Sequence, residues 1–446
     1  MPSTGISSRK CAWGALGILV IASQVCADEA LAPQHSSQAA TPTQSTAAPL
    51  GVTLPVGPPT DPFVDVSKRG YLLESGWRVI PAINLTYLQD SNPLLLNPSS
   101  GTDGIKATNL ALSIESATAG QFSGFFAVGV VRHDALQSQT EKPTVAQLLY
   151  TPRIDGWTLP MSYIYSRNKL SRSSLLRQNS NIPPVQEQDT VLNQLTGDAI
   201  RQFGDTGVSV GLTLMDVQIG SSLLANGQTL ASTASNKTQT GRLKITRPAG
   251  VATQWFVRGQ GDEYLYGSGD QVVQGSKKSN VWTWAAGMQG KVSDGVNFMA
   301  ELGRARKTST SDSVPGSEST IGALSAIWAP DGGTNVVAGL NRSVFEINVP
   351  SLSNAVTTSP FLSVSRRLTN EWILQGNATV TRIQAVPTAA SLQDRAANIS
   401  LLWKPMRAVL VVASVGRSSR SVNSSAAALV NAYGDTKYLV NLTYYP

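Results

Sequence analysis

The side chains with most chemical reach in this sequence are two cysteines, two histidines and a set of charged residues at alternating positions. Cys11 and Cys26 both lie within the first 27 residues, ahead of an expected cleavage after Ala27. The mature chain then has no thiol for a disulfide, a nucleophile or a thiolate metal site. His35 and His133 are far apart and have no second ligand at metal-binding spacing, so no metal or other cofactor is expected. His133, in Arg132-His133-Asp134, falls at the outer end of an apolar run. A general base needs a nucleophile within hydrogen-bond reach; serines are spread along the whole chain, so none is singled out, and no enzyme is expected. Gly259-Gln260-Gly261 lacks the strand-to-helix setting of a phosphate loop. What remains is Arg78, Glu115, Arg242, Lys244, Arg258, Lys291 and Glu301. Asn84, Ser209, Gln375, Asn377, Asn398 and Lys404 share their parity. Each sits opposite apolar neighbours, which is how polar groups are gathered on one wall facing water.

A strand sends successive side chains to opposite faces, and the stretch from Asn280 to Arg306 shows it plainly. Trp282, Trp284, Ala286, Met288 and Gly290 alternate with Thr283, Ala285, Gly287, Gln289 and Lys291. Val292-Ser293-Asp294-Gly295 supplies Asp-Gly turn chemistry. Val296, Phe298, Ala300 and Leu302 then alternate with Asn297, Glu301 and Gly303. Each run is about 10 residues, enough to cross a bilayer when tilted. A hairpin of a soluble sandwich would look the same in isolation.

The rest of the chain decides between them. From about Gly70 onward, short turn signals such as Gly204-Asp205-Thr206 and Pro330-Asp331-Gly332-Gly333 alternate with longer polar loops. Outer-membrane barrels keep tight periplasmic turns and longer external loops, whereas a sandwich has no reason to. The expected fold is all-β: a transmembrane antiparallel β-barrel of about 18 strands, with 16 also compatible. Lipid-facing candidates include Ile83, Leu85 and Tyr87; Leu110 and Leu112; Val210, Leu212 and Leu214; Trp372 and Leu374; and Ile399, Leu401 and Trp403. Trp157, Trp372, Trp403, Tyr438 and Tyr444 fall near strand ends, where interfacial aromatic belts sit.

Composition agrees. Charged residues are 14% of the chain, and no stretch after residue 27 approaches 18 uninterrupted apolar residues. Residues 1–27 read as a signal peptide: Arg9 and Lys10, then the apolar run Ala12 to Ala22, then Val25-Cys26-Ala27. Cys26 also admits a lipoprotein, though Ser23-Gln24-Val25 is a poor lead-in. Residues 28–69 read as a Pro/Ser/Thr/Ala-rich periplasmic linker, too polar to order itself. Residues 70–446 are the barrel. Without Arg9 and Lys10, 33 basic residues face 28 acidic ones. No basic cluster interleaved with aromatics points to nucleic acid.

In the first strand, Gly76 to Asn92, the residues Pro81, Tyr87, Asp90 and Asn92 stand out. This opening resembles β-barrel porins of the BBP2 type, which begin with a strand carrying a Pro, an aromatic and an Asp-x-Asn turn. The resemblance implies an outer-membrane location and, for some relatives, an association with capsule or exopolysaccharide systems. The expected function is a porin-like channel, or alternatively a non-conducting barrel that binds surface glycan or lipopolysaccharide. Six basic lumen candidates against two acidic ones would favour anions if they share a level. The longest loop carries Lys169, Arg172 and Arg177, which either constrict the lumen or stay outside and meet lipopolysaccharide phosphates. Expected partners are outer-membrane lipid and lipopolysaccharide, the barrel-assembly machinery and polysaccharide. The final strand, expected from Tyr438 to Tyr445, is apolar and aromatic and resembles the signal that machinery reads, but the chain ends in Pro446 rather than an aromatic residue.

Overall fold

The computed structural model describes residues 70–92, 101–116, 122–135, 140–169, 184–186, 189–220, 222–224, 229–230, 236–266, 278–310, 316–349, 352–386, 390–423 and 432–446. The expected signal peptide and linker, and the loop residues Arg172 and Arg177, lie outside them.

Eighteen long strands form one closed antiparallel barrel. They are β1 (Trp77–Asp90), β2 (Asp103–Ser116), β3 (Phe122–His133), β4 (Thr144–Tyr150), β5 (Met161–Lys169), β6 (Asp189–Phe203), β7 (Thr206–Ile219), β8 (Asn236–Pro248) and β9 (Thr253–Tyr266). The second half comprises β10 (Lys278–Ser293), β11 (Val296–Ser309), β12 (Ser317–Asp331), β13 (Thr334–Val349), β14 (Leu352–Arg367), β15 (Trp372–Val386), β16 (Ser391–Met406), β17 (Val409–Val422) and β18 (Tyr433–Tyr444). Each pairs with its neighbours in sequence. Closure comes from β1 against β18, with Ile83 opposite Tyr444 and Asp90 opposite Lys437. Eighteen rather than 16 is the number that forms.

Closure leaves the first six residues of β1, paired with β2 on one edge, without a partner on the β18 side, because the register with β18 stops at Ile83. Tyr71–Leu72 fills part of that edge by pairing back onto Val79 and Arg78. An open sheet edge in a membrane would leave backbone groups unsatisfied. Short turns join strands at the periplasmic end, and glycine carries those that need a left-handed residue: Gly204 has φ 57° and Gly295 φ 82°. The turn after β4 differs from expectation. It is a small projecting hairpin, Arg153–Ile154 against Trp157–Thr158, turned by Asp155 and Gly156. At the external end, Pro184–Gln186, Ser222–Leu224 and Thr229–Leu230 make a separate small sheet between loops.

Alternation separates the two walls. In β1, Ile83, Leu85 and Tyr87 are exposed on the outer wall, whereas Ala82, Asn84, Thr86 and Leu88 are buried on the inner one. The hairpin of β10 and β11 follows the parity expected: Trp282, Trp284, Met288 and Leu302 are exposed outside. At the periplasmic rim Trp372 stacks on Trp403 at 5.3 Å, and Trp157 meets Phe203 edge-on at 5.9 Å. Such pairs tie neighbouring strands at the interfacial level.

Candidate functional site: the inner wall of the barrel

The inner wall is built by parity, so its chemistry depends on which polar residues fall on inward positions and which rungs they share. On β6 to β11 these positions bring opposite charges together. Arg242 donates to Asp198 at 3.0 Å and to the Thr213 hydroxyl at 3.0 Å. Arg258 makes a two-pronged contact with Glu301, at 2.8 and 2.7 Å. Both pairs reach over an intervening strand, and a glycine makes room each time. Asp198, Gly211 and Arg242 lie on one rung. A Cβ on Gly211 would collide with Asp198 Oδ1 and approach Arg242 Nε to 2.9 Å. Similarly, a Cβ on Gly287 would lie 2.6 Å from the Phe256 ring and 2.9 Å from Glu301 Cβ. Lys244 lies 4.6 Å from the Phe256 ring centroid and donates to Gln289 at 3.3 Å. Asp262 accepts from Thr240 at 2.7 Å and from Gln260 at 2.9 Å. This cluster therefore carries three formal positive charges (Arg242, Lys244, Arg258) and three negative ones (Asp198, Asp262, Glu301); Lys307, inward on β11 nearer the external end, is a further buried cation of the same sector. In low dielectric such pairing is what makes buried charge tolerable.

The expected site residues Arg242, Lys244, Arg258 and Glu301 thus come together. Arg78 and Glu115 form a second group, directly opposite each other on β1 and β2 near the periplasmic end. Lys291 lies at the periplasmic rim, where it pairs with exposed Asp294 at 2.6 Å. That hydrogen bond and the adjacent charge hold the Asp294 carboxyl below the usual carboxylate range. Lys169 is not inside the barrel. It sits at the external end of β5 on the outer wall and pairs with Asp189 at 2.8 Å. Sequence reasoning missed Asp198 and Asp262, whose basic neighbours are one or two strands away. An inventory by parity finds the residues, but only the strand register shows the partners. Arg242, Lys244 and Arg258 are thus offset by Asp198, Asp262 and Glu301, and this cluster gives no net positive patch.

A second sector is chemically distinct. Across β13 to β17, Asn335, Ser365, Gln375, Ser400 and Ser414 form one inward rung. The next contains Val337, Ser363, Asn377 and Asn398. Neither rung holds a charged residue. Much of this patch retains exposure: Asn335 and Asn341 are exposed, and Ser363, Ser365, Gln375, Asn377 and Asn398 are half-buried, while Ser400 is buried. Phe361 lies inward just above, on a rung with Gly339 and Thr379. The surface offers amide and hydroxyl groups of both donor and acceptor type, beside one aromatic ring.

Towards the external end the inner wall is covered. Arg420 and Asp394 pair at 2.6 and 2.7 Å, with side chains 4% and 3% exposed. Lys437 reaches Asp90 at 3.3 Å and Asp435 at 3.4 Å. The Asp90-x-Asn92 turn singled out in the sequence is closed by Asp90 accepting the Asn92 N–H at 2.9 Å. Asn92 in turn donates to the Gly434 carbonyl at 2.8 Å, locking β1 to β18. His133 lies between Asp103, at 2.6 Å from Nδ1, and Glu141, at 3.5 Å from Nε2. Its second nitrogen faces a carboxylate, not a hydroxyl. Among the described residues no group of three or more His, Cys, Asp or Glu could hold a metal.

A family model described as "Putative beta-barrel porin 2" matches residues 75–443. No curated protein matches the chain. Several solved structures are similar. A double mutant of the ferric enterobactin receptor PfeA from Pseudomonas aeruginosa shares 8% identity over 82% of this chain and 80% of that one, with a TM-score of 0.46. Pseudomonas aeruginosa OccK3 (OpdO) shares 11% identity over 84% and 96%, with a TM-score of 0.43. The FrpB iron transporter from Neisseria meningitidis shares 10% identity over 80% and 64%, with a TM-score of 0.44.

Proposed function

This chain belongs to the "Putative beta-barrel porin 2" family and is an outer-membrane, porin-like barrel, and from that premise we propose that it is a passive channel for neutral hydrophilic solutes of glycan type. Capsule or exopolysaccharide export is the setting in which such a solute would be met. The observation that carries this reading is the uncharged amide and hydroxyl wall of β13 to β17, set against the paired charges of β6 to β11. A glycan offers hydroxyls that donate and accept and faces that stack on aromatic rings. A charge-balanced wall neither concentrates nor repels ions strongly. The reading assigns no catalytic step and no cofactor. It takes β18 as the segment presented to the barrel-assembly machinery.

The burial of the inner wall around Asp394, Arg420, Asp103 and His133 favours a second reading, in which the barrel does not conduct. Single-channel recording of the refolded, heat-modifiable protein in a planar bilayer separates the two. Steady conductance, with a reversal potential near zero in a potassium chloride gradient and reversible block by neutral oligosaccharides, is the expected result. A folded barrel that never conducts would overturn the channel reading.

A further inference from the structure

We propose that the outer wall of β15 to β17 holds the phosphates of an outer-leaflet glycolipid, through Arg382, Arg395 and Arg417. All three side chains are exposed and share the outward parity of their lipid-facing neighbours. Arg382 is directly opposite Gln393, two residues from Arg395. Arg395 is directly opposite Ser419, two residues from Arg417. Diagonal neighbours of this kind are about 7 Å apart, and like charges so placed repel.

Over most of the external part of the outer wall acids stand beside bases; Arg342, on the rung of Arg382 across Thr358, donates instead to the Thr320 carbonyl and the Thr358 hydroxyl. Lys106 pairs with Asp134, Arg167 and Lys169 with Asp189, Lys278 with Glu263, and Arg304 with Glu318. Lys237 is directly opposite Asp216. Among the described residues the row of three arginines has no acidic partner; Arg395 donates to the neutral Gln393 amide at 3.2 Å. The acids on these strands and the next, Asp394 and Asp435, point inward and are taken by Arg420 and Lys437. On the outer wall around the row stand Gln384, Gln393, Ser419 and Thr436, which are uncharged. Three cations held at fixed spacing with no counter-charge among the described residues call for an external anion, and guanidinium forks match phosphate oxygens.

The surface beneath the row identifies the anion's carrier. Towards the periplasm the same wall continues as Ile399, Val415, Val440 and Tyr438, all well exposed, with Leu442 and Trp403 lower still. The row therefore stands directly above a strip suited to acyl chains. An amphiphile with phosphates at headgroup level and chains below satisfies both parts at once; a free anion satisfies only the first. This site is on the lipid side of the wall and does not depend on whether the lumen conducts.

The test uses the refolded full chain in zwitterionic detergent, titrated with bis-phosphorylated lipid A, with its dephosphorylated form and with inorganic pyrophosphate. Bound molecules are counted by native mass spectrometry. Changing Arg382, Arg395 and Arg417 together to Gln should weaken lipid A binding about tenfold or more, given three lost charge-assisted contacts. It should leave the weak binding of dephosphorylated lipid unchanged. Changing the same three to Lys keeps the charge and should retain much of the binding, while Arg304→Gln with Arg306→Gln should have little effect. Heat-modifiability on gels reports that each variant is folded, and the Lys variant keeps the test valid if the Gln variant is not. Equal binding by wild type and the Gln variant would overturn the proposal. So would equal affinity of the wild type for both lipids, or pyrophosphate binding as tightly as lipid A.

Discussion

Glu301→Gln removes one negative charge from the cluster of Arg242, Lys244, Arg258, Asp198, Asp262 and Glu301, whose six formal charges cancel. Arg258 loses its two-pronged partner, and the cluster passes from zero to one net positive charge. In water a unit charge about 7 Å from an ion is worth about 0.6 kcal/mol, and screening at about 0.1 M salt halves this to about 0.3 kcal/mol. That enriches anions and depletes cations by about 1.6-fold each, so the anion-to-cation ratio rises about threefold, equivalent to a reversal potential of about 20 mV in a tenfold potassium chloride gradient. Arg258→Gln leaves Glu301 uncompensated and should shift the potential by a similar amount in the opposite sense. The assay is the planar-bilayer recording described above, at low salt, on refolded protein. Opposite shifts of about this size place the cluster beside the ion path. If both variants conduct yet stay within a few millivolts of wild type, the reasoning fails: the cluster would be structural and walled off from permeating ions.

Other outcomes follow from the same geometry. Asp394→Asn leaves the buried Arg420 guanidinium unpaired and should cost about 3–5 kcal/mol in urea unfolding from lipid, whereas Asp394→Leu combined with Arg420→Met should recover most of the loss. Gly211→Ala inserts a Cβ between Asp198 and Arg242 and should cost about 1–3 kcal/mol by overpacking and by parting the pair, read in the same unfolding assay. Ser363→Asp places a charge on the neutral wall, and a cation-leaning reversal potential is expected. An unchanged potential would remove that wall from the solute path. Trp403→Ala should lose about 0.5–1.5 kcal/mol beyond its buried area through the Trp372 stack, measured by heat-modifiability midpoints.

Much of the fold was legible because a membrane barrel writes its period into the sequence. Trp282 to Lys291 could be assigned to two walls by parity alone, and the structure keeps every one of those positions on the expected wall. Strand number followed from the rhythm of short and long connections. Register did not. Nothing local in the sequence says that Asp198 meets Arg242 over Gly211, or that Arg258 reaches Glu301 past Gly287, because these contacts span strands 43 and 44 residues apart. The final strand also starts earlier than its apolar run suggested. Tyr433 and Asp435 are polar or mixed inward residues, so an apolar scan stops at Tyr438 while the backbone ladder continues. The neutral wall was half visible: Gln375, Asn377 and Asn398 were assigned inward, but Ser363, Ser365 and Asn335 join them only through the rungs.

The same register explains where the basic surplus of the chain goes. Counting Lys and Arg at inward parity suggests a positive lumen. Yet inside the barrel Arg242, Arg258 and Arg420 each meet a carboxylate at hydrogen-bond distance. An uncompensated charge there would pay the cost of a poorly solvated interior. On the outer wall at headgroup level that cost is small, because water and anionic lipid are both at hand. Basic residues with no acid among the described residues are therefore tolerated at Arg382, Arg395 and Arg417 and not at Arg420, which lies on the next strand but one from Arg382 and faces the other way. Arg420 is only three residues from Arg417 on β17, and that odd spacing turns one guanidinium towards Asp394 and the other towards the membrane. Moving either by a single position would exchange those environments.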